Sequence, residues 1–250
     1  MKISIITVCK NADAFIEKTV LSVLNQTYDN IEYIVIDGNS TDQTQSILSK
    51  YQQQISCLKS EDDRSMYEAL NKGLKAATGE IVGFLHAGDY FENNQVLANI
   101  ASYFYQDHLL DALYTDVCFV KDNKRVRYIN PQKWSPTDFK KGLMPPHPGF
   151  YCKKKCYEQV GYFIENYEIA ADFEYLIRLF SFDFVIQYVP ILTVNMQTGG
   201  KSNNGFFSYY TKTIEIIRAL KTHHIKTNKW IVLLRFLTKL NQFKTSIITT

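Results

Sequence analysis

Ile81-Val82-Gly83-Phe84-Leu85-His86-Ala87-Gly88-Asp89 carries an unbroken apolar run into a short turn that ends on an acid. A strand that reads apolar on both faces belongs in a sheet covered on both sides, the habit of parallel sheets. In such sheets ligands sit beyond the carboxyl ends of the strands. The turn therefore puts Asp89 where a ligand would lie. Working outward, the same grammar repeats. Residues 3–8 and 33–36 read as buried strands, the second running into Asp37-Gly38. Residues 55–58 and 112–120 read as two more. Between the strands, residues 13–26, 41–51, 65–77 and 94–105 place apolar side chains at helical spacing. Ser40 is the expected N-cap of the second helix, and Gly79 the stop of the third. Alternating strands and helices predict an α/β fold, with a mainly parallel, mixed central sheet flanked by helices.

Beyond residue 120 the pattern loosens. A hairpin and a proline-bearing loop are expected up to Pro148, then a short strand over 150–152 and a helix over 172–180. Residues 184–194 read as a strand broken at Pro190, and 198–205 as a flexible loop. Residues 206–221 and 229–240 read as amphipathic helices.

Composition excludes several classes. With 46% hydrophobic, 21% charged and 14% aromatic residues, the 250-residue chain has the makings of a core. A net charge of +3 is too small for a dedicated nucleic-acid binder. The charge is uneven: residues 201–250 hold nine Lys or Arg and one acid, Glu215. The five cysteines, an odd number sitting mostly in apolar runs, favour a reducing compartment. Cys152 and Cys156 form a close pair, but no second Cys/His pair completes a zinc site. The first apolar run is too short for a secretory signal. No stretch nears the roughly 20 apolar residues that span a bilayer. A cytoplasmic protein is expected, peripheral at most to the inner face of the membrane.

Four groups fall at expected strand ends: 7–11, 37–42, 61–64 and 86–89. A turn carboxylate accounts for Asp89 alone, and a helix cap accounts for Asp42. Their convergence on one sheet edge is the stronger signal. An acid at such an edge can hold a divalent cation against phosphate oxygens.

The ordered motifs resemble those of the family 2 glycosyltransferases, which have the nucleotide-diphospho-sugar transferase (GT-A) fold. The matching segments are Ser4-Ile5-Ile6-Thr7-Val8 with Asn11, Ser22-Val23-Leu24-Asn25-Gln26-Thr27-Tyr28, and Ile34-Val35-Ile36-Asp37-Gly38-Asn39-Ser40-Thr41-Asp42. Asp63-Arg64-Ser65-Met66-Tyr67-Glu68-Ala69-Leu70-Asn71-Lys72-Gly73 and Phe84-Leu85-His86-Ala87-Gly88-Asp89 follow. The resemblance spans about residues 1–200.

The resemblance implies roles. Thr7 and Asp37 match positions lining the base and ribose of a nucleotide. Asp63 and Arg64 match a segment closing over it, and Asn11 and Asn71 belong to the same donor-binding set. Asp89 matches the last acid of a D-x-D-like motif that holds Mn²⁺ or Mg²⁺. Here the chain departs from the pattern: Gly88 replaces the preceding acid, and His86 stands where Asn or Asp is common. One carboxylate plus a diphosphate can still coordinate such an ion. Ala170-Ala171-Asp172-Phe173-Glu174 resembles the segment supplying the catalytic base, with Asp172 as the base. A helix cap is the structural alternative for Asp172, and Glu174 is its rival. His147 matches a histidine on the acceptor side and Lys201 a loop that can meet the diphosphate; an ordinary loop role stands beside each.

The expected organisation is a transferase domain over 1–205, divided into a nucleotide-sugar-binding half (1–110) and an acceptor-side half (111–205). A basic amphipathic helical extension over 206–250 would follow. Trp230, Leu233, Leu234 and Leu237, with Lys229, Arg235 and Lys239, suit an anionic membrane surface over 229–241. Packing on the domain, or on a second copy of the chain, is the alternative. The implied reaction is inverting transfer from a nucleotide diphosphate sugar, of the UDP type, to a hydroxyl of a glycan or polyprenyl-linked acceptor. Bacterial surface-polysaccharide assembly is the implied setting. Two rivals stand beside this reading. A sugar nucleotidyltransferase would need a glycine-rich basic loop where Cys9-Lys10-Asn11-Ala12-Asp13 stands. A non-catalytic scaffold is favoured by Gly88 but opposed by Asp89 and Asp172.

Overall fold

The computed structural model describes residues 1–198, 205–228 and 230–233. The chain begins β1 (Ile3–Cys9), α1 (Ile16–Leu24), β2 (Ile31–Asp37), α2 (Thr44–Ser49), β3 (Cys57–Ser60), α3 (Met66–Ala76), β4 (Ile81–Phe84). These four strands are parallel where they pair, β1 lying between β2 and β4. All seven residues of β1 are buried, as its continuous apolar run requires. Ser65 caps α3, its hydroxyl accepting the Glu68 N–H at 3.1 Å. α3 lies so close to β1 that a Cβ on Gly73 would sit 2.4 Å from Ile6 Cγ2.

The second half completes the sheet from the other side. β5 (Tyr90–Phe91), α4 (Val96–Gln106), β6 (Ala112–Lys121) and β7 (Lys124–Ile129) come first. β8 (Phe150–Lys153), α5 (Lys154–Val160), α6 (Ala171–Leu179), β9 (Ile186–Gln197) and α7 (Gly205–Thr222) follow. Among the described residues the strand order is β3-β2-β1-β4-β8-β6-β9-β5, with β7 paired to β6. β8 runs antiparallel to both β4 and β6, while β9 is parallel to β6. The β6–β7 hairpin turns on Asp122 and Asn123, both at positive φ (49° and 59°), as a tight primed turn demands.

Three expectations change. Ser40 does not cap α2: its hydroxyl is taken by Asp37, and Gln43 holds the cap position. Pro190 does not end a strand. β9 runs through it to Gln197, and the register on β6 slips there: Thr115 faces Val189 but Asp116 faces Leu192. The bulge accommodates the residue that cannot donate a ladder hydrogen bond. Finally, the first helix of the expected 206–250 extension is part of the core. Ile216, Ala219 and Leu220 of α7 are buried in the same apolar cluster as Phe173 and Leu176 of α6. Of the second helix expected there, only residues 230–233 are described. Trp230 is 71% exposed, whereas Val232 is buried.

Candidate active site

Four loops at the carboxyl ends of β1 to β4 converge on one edge of the sheet. At the end of β2, Asp37 is fully buried and saturated. Its carboxylate accepts the Ser40 N–H at 3.1 Å, the Ser60 hydroxyl at 2.6 Å and the Ser40 hydroxyl, with the Cys9 thiol at 3.6 Å. Asn11, at φ 50°, accepts the Thr41 N–H through Oδ1 at 2.9 Å. Thr7 is buried beneath them. Its hydroxyl donates to the Leu85 carbonyl at 2.7 Å and accepts from the Tyr33 phenol at 3.1 Å. Thr7 and Asp37 thus shape this edge by holding backbone, with few hydrogen-bonding atoms left for a ligand.

Asp63 lies 2.6 Å from Lys72 Nζ, and burial raises its pKa against the pull of that lysine. Arg64 is exposed and binds Glu68 and Glu165, at 2.9 and 3.0 Å. Asn71 faces elsewhere. Its amide donates to the Phe163 carbonyl (2.9 Å) and Glu165 (3.1 Å), and its oxygen accepts the Phe163 N–H (3.0 Å). It clasps α3 to the segment before α6 rather than standing free at the sheet edge.

The β4 turn is held by a residue that sequence reading missed. Thr19 of α1 accepts the Gly88 N–H at 3.0 Å and donates to the Asp89 carbonyl at 2.7 Å. Gly88 has φ +100°, which an L side chain adopts only with strain. The loss of the acid at this position therefore agrees with the backbone. Asp89 is buried, and burial pushes its carboxyl up to about 8, opposed by a hydrogen bond from the Gln197 backbone. His86, beginning the turn, is held down at about 4 by burial and by His147, while the charge of Asp172 pulls the other way. Its Nδ1 is buried without a partner.

His147 is a stacked, buried side chain, not an open loop residue. Its ring lies over Phe84 (4.9 Å between centroids) and 6.0 Å from His86. Burial, reinforced by Lys212 of α7, holds it at about 4. Lys212 had no sequence signal beyond its place in a basic helix.

Asp172 stands in the first turn of α6, whose cap residue is Ala170. Its Oδ1 accepts the Phe173 N–H at 2.8 Å and lies 3.5 Å from the Tyr67 hydroxyl, leaving it half-buried at the seam. Glu174 has a different fate. It is fully buried, gripped by Arg178 at 2.9 and 3.0 Å, and meets His223, just past α7, at 2.9 Å. A carboxylate locked this way cannot also serve a substrate. Lys201 lies outside the described residues.

A divalent cation fits here only together with a diphosphate. Among the described residues no three His, Cys, Asp or Glu side chains gather as a ligand set. The buried Asp89 carboxyl is one ligand, which phosphate oxygens would have to supplement, and His86 in the same turn has an unpartnered Nδ1.

Comparison with known proteins identifies the family and the fold. The chain is 26% identical over 205 residues to the PGL/p-HBAD biosynthesis glycosyltransferase of Mycobacterium tuberculosis, covering 80% of this chain and 78% of that one. It is 38% identical over 95 residues to the Escherichia coli UDP-Glc:alpha-D-GlcNAc-diphosphoundecaprenol beta-1,3-glucosyltransferase WfaP, 38% of each chain. Among solved structures it superposes on S. aureus TarS 1-349 in complex with UDP-GlcNAc with a TM-score of 0.70 at 20% identity, over 88% of this chain and 66% of that one. It superposes on the mannosyltransferase PcManGT from Pyrobaculum calidifontis, in complex with GDP-Man and Mn²⁺, with a TM-score of 0.67 at 18% identity, over 98% and 73%. The glycosyl transferase family 2 model matches residues 4–165. From β1 to the loop before α6, the chain is a glycosyltransferase of family 2 on a GT-A fold.

Proposed function

We propose that the protein is an inverting glycosyltransferase that takes a sugar from a UDP-linked donor and passes it to a hydroxyl of a glycan or polyprenyl-linked acceptor. The carrying observation is the division of labour between two neighbouring acids: Glu174 is locked by Arg178 and His223, while Asp172 is left half-buried at the seam beside the β4 turn. Asp172 accepts the proton of the acceptor hydroxyl as that oxygen bonds to the anomeric carbon. The nucleoside diphosphate departs from the opposite side. With no protein nucleophile in this scheme, the displacement is single and the anomeric centre inverts. Asp89 would hold Mn²⁺ or Mg²⁺ with the diphosphate oxygens, and the bound ion supplies positive charge against the leaving group. Asn11, Asp37, Asp63 and Arg64, with Thr7 beneath them, form the donor-side edge.

Support for a UDP donor and a lipid-linked acceptor comes from TarS, whose complex contains UDP-GlcNAc, and from WfaP, whose acceptor is a diphosphoundecaprenol. Surface-polysaccharide assembly is the setting these suggest. No described helix is long and apolar enough to cross a membrane. Exposed Trp230, Ile231 and Leu233, in a segment rich in Lys and Arg, support peripheral contact with an anionic bilayer. A screen of nucleotide sugars for binding and hydrolysis tests the main reading: UDP-sugar turnover is expected, and the absence of turnover with every donor class would refute it. Deleting residues 229–250 should weaken binding to anionic liposomes in a salt-sensitive way; unchanged binding would place the contact elsewhere.

A further inference from the structure

The helix carrying Asp172 begins without a cap of its own. Ala170 occupies the cap position and has no side-chain acceptor to offer. The cap residue and the two residues before it are held instead from α7, 45 residues away from Ala170 in sequence. The carboxylate of Glu215, only 7% exposed, gathers the N–H groups of Glu168 (2.6 Å), Ile169 (2.9 Å) and Ala170 (2.9 Å). One turn further along α7, Arg218 donates to the Asn166 carbonyl at 3.0 Å. Just past the end of the same helix, His223 meets Glu174. α7 thus holds the chain before, at and after the start of α6, with Glu215 in the middle.

We propose that Glu215 is a positioning residue for the proposed base, setting the first turn of α6 so that Asp172 meets the acceptor hydroxyl. The inference rests on the reading of Asp172 as the base. Three N–H groups fixed by one carboxylate leave residues 168–170 little freedom, and Asp172 follows two residues later. The negative charge also lies at the positive end of the α6 dipole. Misplacing a reacting group by about 1 Å can cost on the order of 100-fold in rate. Glutamine cannot replace this acceptor, because its NH₂ group would face a donor. Aspartate keeps the charge but withdraws it by one carbon–carbon bond, about 1.5 Å.

The test uses the full chain and three variants, Glu215→Gln, Glu215→Asp and Glu32→Gln. Glu32 is the control: it accepts the backbone N–H groups of Thr78 and Gly79 at 2.7 and 3.3 Å, at the opposite, amino-terminal edge of the strands. Turnover of the nucleotide sugar found in the screen is measured beside UDP affinity by calorimetry. The expected result is a kcat reduced about 10- to 100-fold in both Glu215 variants, with UDP affinity unchanged. Glu32→Gln should keep its kcat even if it melts earlier. Full kcat in folded Glu215→Asp would overturn the proposal even if Glu215→Gln did not fold. So would UDP affinity falling in step with kcat, or an equal kcat loss in Glu32→Gln. Asp172→Asn separates the layers: if it retains turnover, the base reading fails first. If it is inactive while Glu215→Asp is intact, only the positioning role fails.

Discussion

Tyr67 Oη stands 3.5 Å from Asp172 Oδ1, bringing α3 against the start of α6. The phenol is buried and its pKa raised well above the ordinary value, by burial first and then by the Asp172 charge. It therefore stays a neutral O–H beside the carboxylate. Asp172→Asn should lower transfer by about 100-fold or more while leaving donor affinity intact. Tyr67→Phe should lower kcat less and also spare donor affinity. Steady-state kinetics with calorimetric donor binding checks both, and a fully active Asp172→Asn would remove the base from the scheme.

Glu174 should behave in the opposite sense. Removing its charge leaves the Arg178 guanidinium, 18% exposed at its side chain, without its carboxylate. Glu174→Gln is expected to cost about 3 kcal/mol of stability. Its kcat, measured well below the melting temperature, should stay near that of the parent. A stable but inactive variant would exchange the roles of the two acids.

The two stacked histidines set an acid limit. His86 and His147 are both held near 4 against an ordinary 6.5. The folded protein therefore binds fewer protons than the unfolded chain once pH drops below about 6.5. Stability from this pair is complete above that value and is lost as pH falls towards 4, by at most about 2.7 kcal/mol per pH unit for two sites. Urea melts from pH 7.5 to 4.5 should show this slope, and His147→Phe should reduce it by about half. An unchanged slope would mean that His147 is protonated in the fold.

Cation binding should be proton-coupled at Asp89. Its carboxyl, raised to about 8 by burial, carries a proton at neutral pH and must release it to ligate a cation. Mn²⁺ affinity in the presence of UDP should rise with pH up to about 8 and then level off. Chelation with EDTA should abolish turnover, and Asp89→Asn should weaken Mn²⁺-dependent UDP binding. Turnover indifferent to EDTA would dispense with the ion.

At Gly73, alanine should cost about 1–3 kcal/mol by overpacking. The added Cβ would lie 2.4 Å from Ile6, so α3 must shift away from β1. Because Tyr67 rides on α3, kcat should drop with stability. A variant that melts like the parent would show that this contact relaxes freely.

Where the sequence was readable, one residue type had one job. β1, β2 and β4 announced themselves because strands buried on both faces need continuous apolar runs. Ser65 was recoverable as part of a helix start because its hydroxyl serves only that end. Ser40 misled because its hydroxyl had a competing partner, Asp37, that local patterning does not show. Pro190 suggested a break because a bulge depends on the partner strand's register, which lies elsewhere in the chain. The sequence showed Asp172 and Glu174 as two rival acids. Their differing availability depended on Arg178 and His223. Glu215 was counted only as the single acid in a basic segment, since its three N–H partners are 45 to 47 residues away.

The threading of β9 bears on the order in which the protein matures during synthesis. β9 pairs with both β6 and β5, and the Gln197 amide reaches back to Asp89. A nascent chain that has released only its first 180 residues from the ribosome holds four parallel strands and both key acids. It lacks the strand that covers one acid and the helix that braces the start of the other's. Those contacts form only after translation has passed β9 and α7. A product truncated before β9 would lack both the Gln197 amide at Asp89 and the Glu215 carboxylate before α6.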